Sequence, residues 1–163
     1  MTIRDGVDAD ASAIAAIYAH HVLTGTASFD TVAPEVVAWV CKLAELRVMG
    51  WPFLVAEIDG TVVGYAYATQ FRPRSAYAET CENSVYVAPE AIGNGVGTRL
   101  IATLIERAAA AGFRQMIAVI GGGEPASVAL HTKAGFEHAG RMRNVGRKFG
   151  RLLDTVYMQR SLG

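Results

Sequence analysis

Apolar residues recur along this chain with two periods, and their alternation predicts eleven elements. Thr2 to Arg4 reads as a short strand. Ile14, Ile17, Tyr18, His21 and Val22 keep helical spacing, with Asp8 or Asp10 placed to cap the helix. Thr24 to Thr31 is polar and holds a glycine, so it reads as a loop. Pro34 suits the first turn of a second helix, with Val37, Val40, Cys41, Ala44 and Val48 on its inner side. Strands are predicted over Pro52 to Ile58 and Val62 to Phe71, joined by the hairpin signal Asp59-Gly60. Arg72-Pro73-Arg74 breaks the pattern, and another strand runs from about Ala78 to Val87.

A third helix carries Val96, Leu100, Ile101, Leu104, Ile105 and Ala108 on one stripe and stops at Gly112. An apolar strand, Gln115 to Ile120, precedes Gly121-Gly122-Gly123. A short helix from about Pro125 to Lys133 ends at Gly135, and strands near Phe136 to Val145 and Leu152 to Ser161 finish the chain. The order is β-α-α-β-β-β-α-β-α-β-β. A meander followed by crossovers implies a mixed α/β sheet covered by helices on both faces.

At 163 residues the chain reads as one domain, 1–163. Its 15 basic and 15 acidic residues balance, so no strong field favours nucleic acid or an anionic membrane. No apolar run reaches the ~20 residues of a membrane span, and Met1-Thr2-Ile3-Arg4-Asp5 does not resemble a signal peptide. Cys41 and Cys81 read as free buried thiols, which suits a cytoplasmic protein. Histidine spacing suggests no metal site.

The richest chemistry lies where the strand Ser84-Val85-Tyr86-Val87 runs through Gly93-Asn94-Gly95-Val96-Gly97-Thr98 into the third helix. Such a junction aims backbone N–H groups and the positive end of the helix dipole at one spot, which suits a diphosphate. A P-loop would need a lysine after its last glycine, and Gly97-Thr98-Arg99 has none. A dinucleotide fingerprint would place the glycines after the first strand of a βαβ unit and an acid beyond them, and neither condition holds.

The element order and this junction resemble the GNAT N-acetyltransferase superfamily, whose motif Gln/Arg-x-x-Gly-x-Gly/Ala maps onto Ile92 to Gly97. A narrower resemblance, to the phosphinothricin and methionine sulfone/sulfoximine acetyltransferases, spans nearly the whole chain. It rests on blocks such as Ile17-Tyr18-Ala19-His20, Thr26-Ala27-Ser28-Phe29, Phe71 to Tyr77, Glu82 to Val87, Ser127 to His131 and Val145 to Gly150. The resemblance implies a mixed, mostly antiparallel sheet flanked by helices, a homodimer, and acetyl-CoA as co-substrate. Its diphosphate would sit on Gly93, Asn94, Gly95, Val96, Gly97 and Thr98, with the pantetheine arm beside Val85, Tyr86 and Val87. Three departures stand out: Ile92 replaces an Arg or Gln, Glu124 replaces an Asn near the cofactor, and Leu152 replaces a Trp. The first implies weaker cofactor affinity.

Acetyl transfer to an amine needs a base for the ammonium, donors for the carbonyl and a partner for the leaving thiolate. The resemblance makes Glu82 the general base, directly or through water; alone, it could be a strand glutamate paired with an arginine. His131 would serve the intermediate or leaving group, although a lone helical histidine is often structural. Arg72 and Arg74, held by Pro73, suit a carboxylate plus a phosphinate or sulfone oxygen, unless they are solvated loop residues. Tyr77 would close that pocket and Phe29 would wall it, or simply join the core. The implied acceptor is a small amino-acid analogue, acetylated in a ternary complex without an acetyl-enzyme. Another amine, such as a protein N-terminus or a polyamine, or a silent acyl-CoA-binding module, are the alternatives. The basic cluster Arg141, Arg143, Arg147, Lys148 and Arg151 reads as a solvated or interface strand pair.

Overall fold

A computed structural model describes residues 1–163. The elements are β1 (Thr2–Asp5), α1 (Ala11–Thr24), α2 (Val36–Met49), β2 (Phe53–Ile58), β3 (Thr61–Gln70), β4 (Thr80–Val87), α3 (Val96–Ala110), β5 (Gln115–Gly121), α4 (Pro125–Lys133), β6 (Glu137–Lys148) and β7 (Arg151–Ser161). Their order matches the one predicted. The strands form a 7-stranded sheet ordered β1-β2-β3-β4-β5-β7-β6. Only β4 and β5, joined through α3, run parallel; the other neighbours are antiparallel. Asp59 and Gly60 both take positive φ (49° and 79°), the primed-turn geometry that the hairpin signal predicts.

Alternation along β3 divides the sheet into two faces. Gly64, Ala66 and Ala68 form the face beneath α3, and their small size lets the helix approach closely. A Cβ at Gly64 would lie 3.0 Å from Val96 Cγ1 and 3.1 Å from Leu100 Cδ1. Gly64→Val therefore overpacks this layer, and thermal unfolding should report a loss of about 1–3 kcal/mol. The opposite face carries aromatic rings: Phe53 stacks on Tyr65 and Tyr67, while Trp39 from α2 and Tyr18 from α1 meet edge-on. Helices thus cover both faces.

Local expectations fail in four places. On α2 the buried residues are Trp39, Leu43 and Leu46, whereas Val37, Cys41, Ala44 and Val48 are exposed. This helix is apolar on most sides, and the bulkier stripe wins because it removes more apolar surface from water. Cys41 is consequently exposed, while Cys81 is buried as predicted. Pro34 precedes the N-cap Glu35 instead of occupying the first turn. Neither aspartate caps α1 through its side chain: Asp8 pairs with Arg47 at 2.9 Å. The Asp10 carboxylate accepts from Arg4 (2.8 and 2.9 Å) and from the Val7 amide (2.9 Å).

Candidate active site

Between β4 and α3 the chain turns through Gly93 (φ 85°) and Gly95 (φ 76°). Gly95 is the N-cap of α3, and no side chain caps the helix there. The Val96, Gly97 and Thr98 amides, first in the helix, precede any helical acceptor, and the first helical bond runs from Arg99 N to Gly95 O (3.1 Å). They lie along a groove of ≈ 690 Å³ whose walls also include Gly93, Val85, Tyr86, Val87 and Glu124. All the predicted cofactor residues line this groove except Asn94, which is exposed on the turn. Ile92 lines it too, presenting an apolar side chain where a polar one was expected. A bare helix N-terminus with close access through glycine fits a diphosphate.

The groove continues towards a split in the sheet. The parallel ladder between β4 and β5 ends at the pair Asn83–Ala118, so Ser84 to Val87 have no strand partner on that side. A small cavity of ≈ 100 Å³ occupies the split, walled by Glu82, Asn83, Ser84, Val85, Ile120, Ser127 and His131 among others. Its unpaired backbone can bond an extended amide-bearing arm as another strand would.

Glu82 lies opposite Thr69 on β3, on the aromatic face. Burial pushes its pKa above the ordinary 4.5, while Arg72 and Lys42 pull the other way. Arg72 Nη1 lies 3.9 Å from Glu82 Oε2, with both side chains partly exposed, so the pair contributes little to stability. Asn83, next along the strand, points to the other face and meets His131 from α4. The cleft opens to both faces, so the two predicted catalytic side chains share one cavity.

His131 is buried, and burial lowers its pKa, which keeps the ring neutral at pH 7. Nδ1–H donates to the Ser127 carbonyl at 2.7 Å, so Nε2 is the acceptor for the Asn83 amide at 2.8 Å. Both nitrogens are engaged, and His131 reaches another group only by releasing Asn83. With this pairing Asn83 Oδ1 is buried without a partner.

The expected acceptor residues separate. Arg72 stacks over the Phe71 ring (4.1 Å) near Glu82, and Tyr77 packs edge-on against Phe71. Arg74 contributes its carbonyl to Gln70 Nε2 (3.0 Å), and its guanidinium is exposed. Phe29 lies at the far end of β5, against Gly121 and Gly146. Sequence reasoning missed Lys42, whose Nζ sits 4.9 Å from the Tyr67 ring centroid on the Glu82 face. It also set aside His20 and His21, which line the groove; His21 Nε2–H donates to Val87 O at 2.8 Å. These contacts join distant segments, and no local spacing announces them. Asn83 had a signal, since it sits inside the Glu82 to Val87 block.

Comparison with known proteins adds four findings. The model of the acetyltransferase (GNAT) family matches residues 14–136. The chain is 54% identical over 162 residues to a phosphinothricin N-acetyltransferase of Alcaligenes faecalis, covering 99% of this chain and 82% of that protein. It is 41% identical to an L-methionine sulfoximine/L-methionine sulfone acetyltransferase of Pseudomonas paraeruginosa, over 99% of this chain and 94% of that one. Among solved structures it superposes, with TM-score 0.97 and 47% identity, on a GNAT superfamily phosphinothricin acetyltransferase from Sinorhizobium meliloti in complex with AcCoA. That match covers 99% of this chain and 88% of the other.

Proposed function

The chain belongs to the acetyltransferase (GNAT) family, and we propose that it moves an acetyl group from acetyl-CoA to the α-amino group of a small amino-acid analogue such as phosphinothricin, methionine sulfone or methionine sulfoximine. The observation that carries this reading is Glu82: half-buried, with a raised pKa, on the wall of a cleft that continues the phosphate-ready groove, and 3.9 Å from Arg72.

The α3 N-terminal amides would hold the diphosphate, and the unpaired β4 edge would hold the pantetheine. Bound there, acetyl-CoA supplies a thioester carbonyl activated towards amines. Glu82 takes the proton from the acceptor ammonium, directly or through a water, so that the amine has a free lone pair. Its raised pKa brings it closer to the range where a general base works well near neutral pH. Free amides of β4 beyond Asn83 offer donors where negative charge develops. His131 fixes the Asn83 amide in the cleft; its Nε2 carries no proton, so the departing thiolate takes the second proton released by the attacking nitrogen, directly or relayed through Nε2 once the Asn83 bond opens.

Direct attack is favoured over a thiol intermediate because Cys81 is buried and its pKa is pushed up to about 12. Arg72, with Lys42 on the same face, supplies positive charge suited to an acceptor's carboxylate or phosphinate. An acceptor with several positive charges would meet repulsion there.

The proposed assembly is a homodimer, supported by partly exposed Met142, Val145, Phe149 and Leu152 on the β6–β7 hairpin. Two free thiols suit the proposed cytoplasmic location. No helix of the chain is long and apolar enough to cross a membrane.

A screen of amines with detection of released thiol tests the assignment: turnover should be highest on these amino-acid analogues, and a preference for polyamines or peptide N-termini would overturn it. In the same assay Arg72→Ala should raise KM for the acceptor about tenfold or more while leaving KM for acetyl-CoA nearly unchanged, in line with the loss of a charged hydrogen bond. Unchanged acceptor KM would place the carboxylate elsewhere.

A further inference from the structure

Three sequence blocks that the reaction does not use converge on the loop between α1 and α2. Tyr18 comes from α1, Ser28 and Asp30 from the loop, and Lys148 from the end of β6. Lys148 is 5% exposed, although the arginines around it on the hairpin are in solvent, so it alone departs from the solvated or interface strand pair expected of this basic cluster. Its Nζ donates to the Ser28 carbonyl at 2.7 Å and lies 5.3 Å from the Phe149 ring centroid. The Tyr18 hydroxyl gives its proton to Asp30 Oδ2. Ser28 Oγ then donates to the Tyr18 oxygen at 2.8 Å and accepts the Asp30 amide at 3.1 Å.

The loop is seated on glycines. A Cβ at Gly121 would lie 2.9 Å from Phe29 Cε1 and 3.0 Å from Thr26 O, and one at Gly122 would lie 2.8 Å from Thr26 Oγ1. A Cβ at Gly146 would overlap the Phe29 ring. Ala27, in the middle of this seat, lines both the groove and the split between β4 and β5. The loop is therefore the wall shared by the two compartments, and its backbone is tied to β6 through one buried cation.

We propose that Lys148 is a positioning residue, which clamps the Ser28 backbone so that the neighbouring Ala27 shapes the cleft for the acceptor. A buried ammonium with one hydrogen-bond acceptor is an expensive way to stabilise a fold, because burial removes its hydration and a methylene chain would pack as well. Burial indeed lowers the Lys148 pKa, with Asp30 pulling it back up. Folding therefore disfavours its charged form, and the stability this group takes away at neutral pH is regained as pH climbs towards the ordinary 10.5. The cation is kept for placement of the loop, not for stability.

This proposal rests on the acetyl-transfer reading above. The test is Lys148→Met beside Lys148→Arg, each measured for thermal midpoint, hydrogen exchange at residues 25–31, calorimetric CoA affinity, and KM and kcat for the best acceptor from the amine screen. The Met variant should keep or raise its midpoint, exchange the loop amides at least tenfold faster, and raise acceptor KM at least tenfold. The Arg variant, which retains a cation and donors, should recover part of both effects. Loop exchange and acceptor KM at wild-type values in Lys148→Met would overturn the proposal. So would a Met variant that unfolds or loses more than ten degrees of midpoint while Lys148→Arg behaves as wild type, since the clamp would then be structural. A wild-type protein inactive on every amino-acid analogue would instead strike the reading of the site, and the exchange and calorimetric data would still decide the clamp.

Discussion

Glu82→Gln should lower kcat on the order of 10²-fold or more while the protein stays folded and binds CoA as before. Gln keeps the shape and loses the ability to take a proton, so the loss reads the chemistry and not the packing. The pH profile separates this from a positional effect. Burial raises the Glu82 pKa above 4.5, so the base is inactive while protonated and wild-type kcat/KM climbs as pH rises through that higher value. In the Gln variant this limb disappears. The sign for stability runs the opposite way. A carboxyl whose folded pKa is raised favours its protonated form on folding, so its contribution to stability is lost as pH rises through the window above 4.5. Replacing it by a neutral amide at pH 7 should leave the thermal midpoint within a few degrees, since the partly exposed Arg72 partner at 3.9 Å contributes about 0–1 kcal/mol. A Gln variant with the acidic limb intact would assign the base to another group.

The reason Glu82 could be singled out from sequence differs from the reason the bonds made by Asn83 and Lys148 could not be. Strand periodicity located β4, the glycine junction fixed where it ends, and the block resemblance chose the carboxylate. Each of those signals is local. The His131–Asn83 bond spans 48 residues and the Lys148–Ser28 bond 120, and both depend on how β5 and β7 are inserted between β4 and β6. The element order was legible because turns and periods are short-range properties. The inner face of α2 was not, because two apolar stripes on one helix compete and only the tertiary partners Tyr65 and Tyr67 select Trp39.

The acceptor residues show the same division. Arg72-Pro73-Arg74 was legible as a basic turn, but which arginine faces Glu82 is decided by the path of that turn after β3. Gln70 Nε2 donates to the carbonyls of both arginines, but only the Arg72 guanidinium comes near the Glu82 carboxylate. Phe29 was expected, from the resemblance, to wall the acceptor pocket or to join the core. Its seat on Gly121 and Gly146 was not legible, because the need for a missing side chain at 146 appears only when β6 folds back on β7, which pairs with β5.

Gly95→Val should weaken CoA binding at least a hundredfold by calorimetry, with a smaller loss of stability. Gly95 sits at φ 76° and ψ 6° as the N-cap of α3, a left-handed conformation that a β-branched residue adopts with strain. A Cβ there meets no protein atom within 4 Å, so the free protein can hold the new side chain with strain alone, about 1–2 kcal/mol. Gly95 lines the groove, so the added side chain takes up space beside the Val96, Gly97 and Thr98 amides that would hold the diphosphate. Bulk at that spot keeps an anion out of hydrogen-bond reach, and the helix dipole acts only over the first turn. Gly60→Val supplies the matched control: Gly60 has φ 79°, also with open space around its Cβ position, but on the β2–β3 hairpin away from the groove. Both variants should lose a similar amount of stability, and only Gly95→Val should lose CoA. Equal affinity in the two would mean that the diphosphate is held away from the α3 N-terminus, and the cofactor side of the proposed function would fall with it.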